Sequence, residues 1–268
     1  MRFWLLFNLA WRRHWGATLA FAGSLAAFQA TLIWGYSFIG GAPTVQNVVG
    51  TLSPELRRAL KIIPSLQGGF GAREYIALGF YHPIFLGLGA AYVVSRASDG
   101  ITGSLERGTI WLLLARPISR TQILLSEATT IVLGVGAVLL AGLAGLGIAL
   151  ATSSLDFGVT LAEYLLMTLG SWLLFATLAM LAVLAAATQS RISAAAGVGS
   201  ALVLSGFVLD LLPWTGDGML AWLNPWHWYD PSRIISNGVT WRDGTILLIL
   251  GLVFGAIALW YWRRRRLM

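Results

Sequence analysis

Six apolar runs in this chain are long enough to cross a bilayer, which takes about 20 residues each. They cover about 17–39, 75–95, 120–150, 160–187, 192–209 and 244–262. Small residues recur within them at four-residue spacing. Ala22, Ala26 and Ala30 mark the first run, and Gly79, Pro83, Gly87 and Ala91 the second. Ala137, Ala141 and Gly145 mark the third, Ser193, Gly197, Ala201 and Ser205 the fifth, and Gly251 and Gly255 the sixth. Such faces let helices approach closely in a membrane. The pattern predicts an all-α membrane protein, a single transmembrane domain over 1–268 with six transmembrane helices.

The segments between the runs carry the polar signals. In 1–15, Trp4, Phe7, Trp11 and Trp15 share one helical stripe while Arg12 and Arg13 point elsewhere. This predicts an N-terminal interfacial helix in the headgroup plane, or else a plain start to the first span. The loop 40–74 holds Pro43, Pro54, Pro64 and Gly68-Gly69. Ser53-Pro54 is a start signal for a short surface helix bearing Glu55, Arg57, Arg58 and Lys61; a solvated linker is the other reading. His82-Pro83 predicts a kink in the second span. His82 there either lines a path or bonds locally at the kink. Ser119 and Gln122 have capping-box spacing, so the third helix starts near 120. It is longer than a bilayer requires, so its first two turns, Glu127 included, should protrude or tilt.

Composition narrows the class. A mean hydropathy of +0.75, with 57% hydrophobic and 11% charged residues, lies far from soluble domains, where about a quarter of residues are charged. There are no cysteines, so disulfides, thiol catalysis and thiolate metal sites are excluded. The net charge of +7 does not point to nucleic acid, because the arginines sit at span ends, where they set orientation and meet anionic lipid. No Walker A phosphate loop is present. If ATP powers this protein, another chain hydrolyses it.

The most informative stretch is 99–122. It places Asp99, Glu106, Arg107, Arg116 and Arg120 between two spans, so it belongs at a membrane surface. Asp99 is a candidate N-cap for a short helix over 100–107 and Gly108 a candidate stop. Ile101 and Leu105 flank the charges as apolar anchors. Glu106-Arg107-Gly108-Thr109, an apolar run, then Arg116-Pro117-Ile118-Ser119-Arg120 resembles the cytoplasmic loop of ABC-2-type exporter permeases. The resemblance covers about 15 residues, and the six-span layout agrees with it.

The resemblance implies several things. The 96–119 loop would carry a cytoplasmic coupling helix that docks on a separate cytosolic ATPase, with Asp99, Ile101, Leu105, Glu106 and Arg107 at the contact. Gly108, Thr109, Arg116, Pro117, Ser119 and Arg120 would be motif positions. This chain would be non-catalytic, binding no cofactor and no metal, with ATP and Mg in the partner. Two ATPase copies and a second permease copy, or a similar chain, would complete the complex. Gly197, Ala201, Gly251 and Gly255 are then candidates for dimer or helix packing. The stretch 210–243 holds Trp214, Trp222, Trp226, Trp228, Tyr229 and Trp241 with Asp210, Asp217, Asp230 and Asp243. The resemblance implies short, partly re-entrant helices there, plugging the outer end; an interfacial aromatic belt is the other reading.

Two other classes compete. An ion-coupled secondary transporter usually keeps ionisable groups near the midplane, and here only His82 lies centrally in a span. A polytopic membrane enzyme needs acid, base or ligand groups in one layer, and His14, His82 and His227 fall in different ones. Spans without lining charge suit a lipid-like, peptide or drug cargo. The side bearing both termini has twelve basic residues and the other side six. The positive-inside rule therefore predicts a cell-membrane protein with both termini and the 96–122 loop in the cytosol. A cysteine introduced at Ser154 or Gly218 should react with an impermeant thiol reagent from outside, and one at Ser104 should not. Labelling in the reverse pattern would overturn the orientation.

Overall fold

The computed structural model describes residues 2–59, 61, 71–153, 156–212, 218–237 and 241–265. Among these residues every regular element is helical. Helix α1 (Arg2–Phe38) leads to the short α2 (Ala42–Thr51) and α3 (Pro54–Ala59). Helices α4 (Ala72–Tyr81) and α5 (Pro83–Ala97) make one span, bent at His82. The short α6 (Gly103–Glu106) and α7 (Thr109–Leu114) follow, then the long α8 (Arg120–Thr152), α9 (Leu161–Thr188) and α10 (Ile192–Leu211). After α10 come α11 (Met219–Leu223), a 3₁₀ turn (Pro225–Trp228), α12 (Pro231–Asn237) and finally α13 (Trp241–Arg264). Six helices or helix pairs are long and apolar enough to cross a membrane, as the apolar runs predict. Pro64, Gly68-Gly69, Ser154, Trp214 and Asp217 lie outside the described residues.

The break expected near residue 16 is absent: α1 runs unbroken for 37 residues. No proline interrupts it, and a lone glycine costs a helix only about 1 kcal/mol. Its partner is α8, in the most extensive helix–helix contact of the chain. Leu6, Ala10, His14, Leu25 and Ile33 face inward, whereas Trp4 and Trp15 are exposed. The tryptophan stripe therefore looks away from the bundle. At 1.5 Å per residue α1 is about 55 Å long, against about 30 Å of hydrocarbon. It tilts or projects beyond the bilayer.

His14 lies beside Asp99, and Arg120 bonds the Arg265 carbonyl. Both described chain ends thus share one end of the bundle, the terminal end; the opposite end is the far end. Helix α9 is the central post, contacting α5, α8, α10 and α13. Its Leu174, Phe175 and Leu178 are fully buried. Gly89 on α5 admits the Phe175 ring, which a Cβ would overlap. At the kink, the His82 Nδ1 accepts the Ile84 N–H at 3.2 Å, so His82 caps α5 locally. Helix α10 is the least buried span.

Burial refines the labelling plan. Ser104 is only 4% exposed, so Ser119, exposed at the terminal end, is the better reporter for that end. The α1–α8 seam makes its own prediction. A Cβ on Gly145 would run into the Ala26 backbone carbonyl, whereas one on Gly147 would meet nothing within 4 Å. Gly145→Ala should destabilise the fold by about 1–3 kcal/mol, the usual cost of overpacking. Gly147→Ala should not, and thermal melting of the two variants in detergent checks the difference.

Candidate functional site

At the terminal end, α5 does not stop at Asp99. It passes through a π-helical turn (Ser98–Thr102) into α6. Ala97 and Gly103 on either side are right-handed helical, so Asp99 is no N-cap. The carboxylate is engaged in tertiary contacts instead. It accepts from Arg107 at 2.7 Å and lies 3.7 Å from Arg13 and 3.5 Å from His14 Nδ1. Arg107 also donates to the Asp99 carbonyl at 3.0 Å. A Cβ on Gly103 would sit 2.5 Å from the Arg107 guanidinium, so a glycine there leaves room for the fold-back.

Gly108, at φ +69°, is left-handed and ends this helix. Thr109 then opens α7 and donates its hydroxyl to the Ser104 carbonyl at 3.2 Å. Ile110 of α7 is buried, but Trp111 is 47% and Leu112 72% exposed. Arg116, Pro117 and Ser119 are exposed as well. Ser119 and Gln122 form the reciprocal cap that starts α8, at 3.2 and 3.0 Å. Arg120 ties that start to the end of α13: it donates to the Arg265 carbonyl at 2.8 Å, and Trp262 Nε1 donates to the Arg120 carbonyl at 3.0 Å.

Glu106 makes a contact the sequence does not foretell. Its carboxylate accepts the Ile192 N–H at 2.6 Å. The first backbone donor of α10 is thereby capped from the loop between α5 and α8, because the N-cap residue of α10, Arg191, offers no side-chain acceptor. A carboxylate there also suits the helix dipole. Of the other predicted anchors, Ile101 is 2% exposed and turned inward, and Leu105 packs half-buried against the core.

Beneath the loop lies a buried polar layer. Arg96, Glu127 and His14 are 2%, 9% and 6% exposed. Glu127 therefore does not protrude as its position in α8 suggests. Gly100 makes room for it: a Cβ there would lie 2.5 Å from the Glu127 Oε2. Tyr92 adjoins Arg96, and its hydroxyl is 3.1 Å from Thr18 Oγ1. The signal available in sequence was the glycine at 100 beside charges, which no turn explained.

At the far end the polar contacts converge on Asp210, whose side chain is 5% exposed at the end of α10. Lys61 reaches it at 2.9 Å, and the Tyr81 hydroxyl donates to it at 3.3 Å. Lys61 Nζ also donates to the Trp226 and Tyr229 carbonyls at 3.0 and 2.7 Å. It is no surface-helix residue, then, but a clasp between the 42–61 segment, α10 and the 3₁₀ turn. A compact ammonium with three donors suits three acceptors so arranged. The Tyr229 hydroxyl donates to the Phe80 carbonyl at 2.8 Å and is 2.8 Å from Ser171 Oγ. Complete burial pushes its pKa well above the usual tyrosine value. Trp226 Nε1 donates to Val203 and Asn224 Nδ2 to Gly206, at 3.0 and 2.8 Å. Arg73 joins the Glu163 carboxylate to the Gly158 and Ile235 carbonyls. The described part of 210–243 is thus strapped across the far end of the bundle.

The predicted packing residues divide. Gly251 and Gly255 face Thr177 and Met180 of α9 within this chain. Gly197 and Ala201 lie on an exposed face of α10, where a Cβ on Gly197 would meet nothing within 4 Å.

The described residues thus form a six-span helical bundle with a charged, capped loop between its second and third spans. Residues 12–267 match the family model described as ABC-2 family transporter protein, and the chain belongs to that family. No curated protein matches the chain in sequence. Membership makes it the transmembrane subunit of an ABC-type transporter, a part that is typically non-catalytic and generally works with an ATPase.

The Glu106 contact yields a prediction. Glu106→Ala should cost about 1 kcal/mol, as loss of a helix N-cap does, and should speed amide exchange at residues 192–195. Hydrogen exchange by mass spectrometry reads this directly. Unchanged exchange there would mean the cap carries no weight.

Proposed function

We propose that this chain is the permease of an ATP-driven exporter and that residues 106–116, centred on α7, form the lever on which a cytosolic ATPase docks. The observation that carries this is the exposed pair Trp111 and Leu112 on a helix otherwise anchored by buried Ile110. Large apolar side chains flanked by charge are what dominates interfaces, and Glu106, Arg107 and Arg116 supply the charge. This overlaps the 99–108 segment that the sequence singles out and extends about two turns past it. The lever is joined to α5 through α6, to α8 through the Ser119 cap and to α10 through Glu106. A push on it is a push on three spans.

The arginine count supports a cytosolic placement of the terminal end. The chain itself binds no nucleotide on this reading; ATP and Mg belong to two ATPase copies. The exposed α10 face around Gly197 and Ala201 meets a second permease copy or a similar chain. The Asp210–Lys61 clasp and the turn at 225–228 close the outer end of the path. The cargo is lipid-like, a peptide or a drug. An ion-coupled carrier fits less well, because the buried ionisable residues adjoin the terminal-end loop, His14 beside Asp99 and Glu127 beside Gly100, rather than lying at mid-span.

Leu112→Asp places an unpaired charge in a contact that must be dry. It should reduce ATPase co-purification by at least tenfold, while Leu105→Asp also weakens the fold. Reconstituted vesicles should lose cargo-stimulated ATP turnover in step. Normal pull-down and turnover in Leu112→Asp would place the contact elsewhere.

A further inference from the structure

On the flank of the bundle, α8, α9 and α13 enclose a groove of about 400 Å³. Its walls include Leu124, Val132, Trp172, Met180, Leu252 and Leu259. Its two side-chain polar groups are already used. Trp172 Nε1 donates to the Val132 carbonyl at 3.1 Å, and the single Thr177 hydroxyl proton is shared between the Leu247 and Leu173 carbonyls, at 2.8 and 2.9 Å. The groove therefore has no free side-chain donor, and its apolar lining suits hydrocarbon along this length.

The groove runs from Leu124 to Val132 on α8 and from Leu248 to Leu259 on α13. At 1.5 Å per residue these are about 12 and 17 Å, close to one leaflet of a hydrocarbon core about 30 Å thick. Its terminal-end mouth is marked by charge. Arg120 stands one turn before Leu124 and Arg263 one turn after Leu259, each on the same helix face as the leucine. Arg263 and Arg264 are exposed, and Arg263 Nε bonds Thr121 Oγ1 at 3.1 Å, which holds it beside the start of α8. Among the described residues no ion pair engages Arg120, Arg263 or Arg264.

We propose that this groove is a binding site for one anionic phospholipid of the leaflet on the terminal side, with an acyl chain between α8, α9 and α13 and its phosphate at Arg120 and Arg263. Depth and dryness select an acyl chain, and the arginines at the mouth select an anionic over a zwitterionic headgroup. The site stands apart from the ATPase contact and would hold a lipid whether or not α7 docks a partner.

The test uses the full chain, stripped of lipid in detergent and resupplied with phosphatidylglycerol or phosphatidylcholine, with retention read by native mass spectrometry. Phosphatidylglycerol should be retained more strongly. Arg263→Gln should lower that preference about fivefold, the effect of one basic residue near an anionic surface, and Arg263→Lys should restore it. Ala256→Phe, which fills the groove from an exposed position, should lower retention of both lipids. Arg191→Gln, an exposed arginine at the same end but away from the groove, should change nothing. Equal retention of the two lipids by the natural chain would overturn the proposal. So would retention unaffected by both Arg263→Gln and Ala256→Phe. If Ala256→Phe instead breaks a dimer and leaves lipid retention intact, the groove is a subunit contact and the proposal fails.

Discussion

A lone ionised side chain at the centre of a membrane helix costs about 3 kcal/mol, and at each end of this bundle one carboxylate, Asp99 or Asp210, gathers partners from distant parts of the chain. At the terminal end Asp99 draws Arg107, Arg13 and His14 together, fixing α1 against the segment after α5. At the far end Asp210 gathers Lys61, Tyr81 and His227. Remove these convergences and the helices keep their apolar packing but lose the contacts that set which loop lies over which helix end.

Between the two ends, small residues decide how near the helices come. Gly145 brings α8 onto the α1 backbone, Gly89 takes the Phe175 ring, and Gly134 lies against the Tyr92 hydroxyl. Each is a place where a single methyl group would push two spans apart. Since hydrocarbon solvates a helix as well as another helix does, such close packing replaces the hydrophobic drive that holds soluble cores together.

The loop between α5 and α8 gains its mechanical meaning from this arrangement. It is not a tether hung between two spans. Asp99, Glu106 and Ser119 bind it to α1, α10 and α8 in turn. A force applied at the proposed lever is divided among α1, α8 and α10, and α10 carries Asp210 of the far-end clasp. On the proposed function, that is a physical basis for coupling an event at the terminal end to a change at the far end without any long-range charge movement.

The number of spans, the kink at His82, the start of α8 at Ser119 and the end of a helix at Gly108 were all legible in the sequence, because each depends on neighbours within a turn or two. The family was legible too, from Glu106-Arg107-Gly108-Thr109 and Arg116 to Arg120. Contacts that join residues far apart were not. Nothing local to Glu106 says that it caps a helix 86 positions away, and nothing local to Lys61 says that it ends at Asp210. Local pattern even misled at several positions, three of them at the terminal end. Asp99 looked like a cap, Glu127 looked exposed, and the tryptophans of 1–15 looked like a separate helix. In each case the deciding partner, Arg107, Gly100 or α8, is brought in by tertiary packing. A sequence states what each segment prefers by itself, and which charges and glycines meet is settled only when the helices pack.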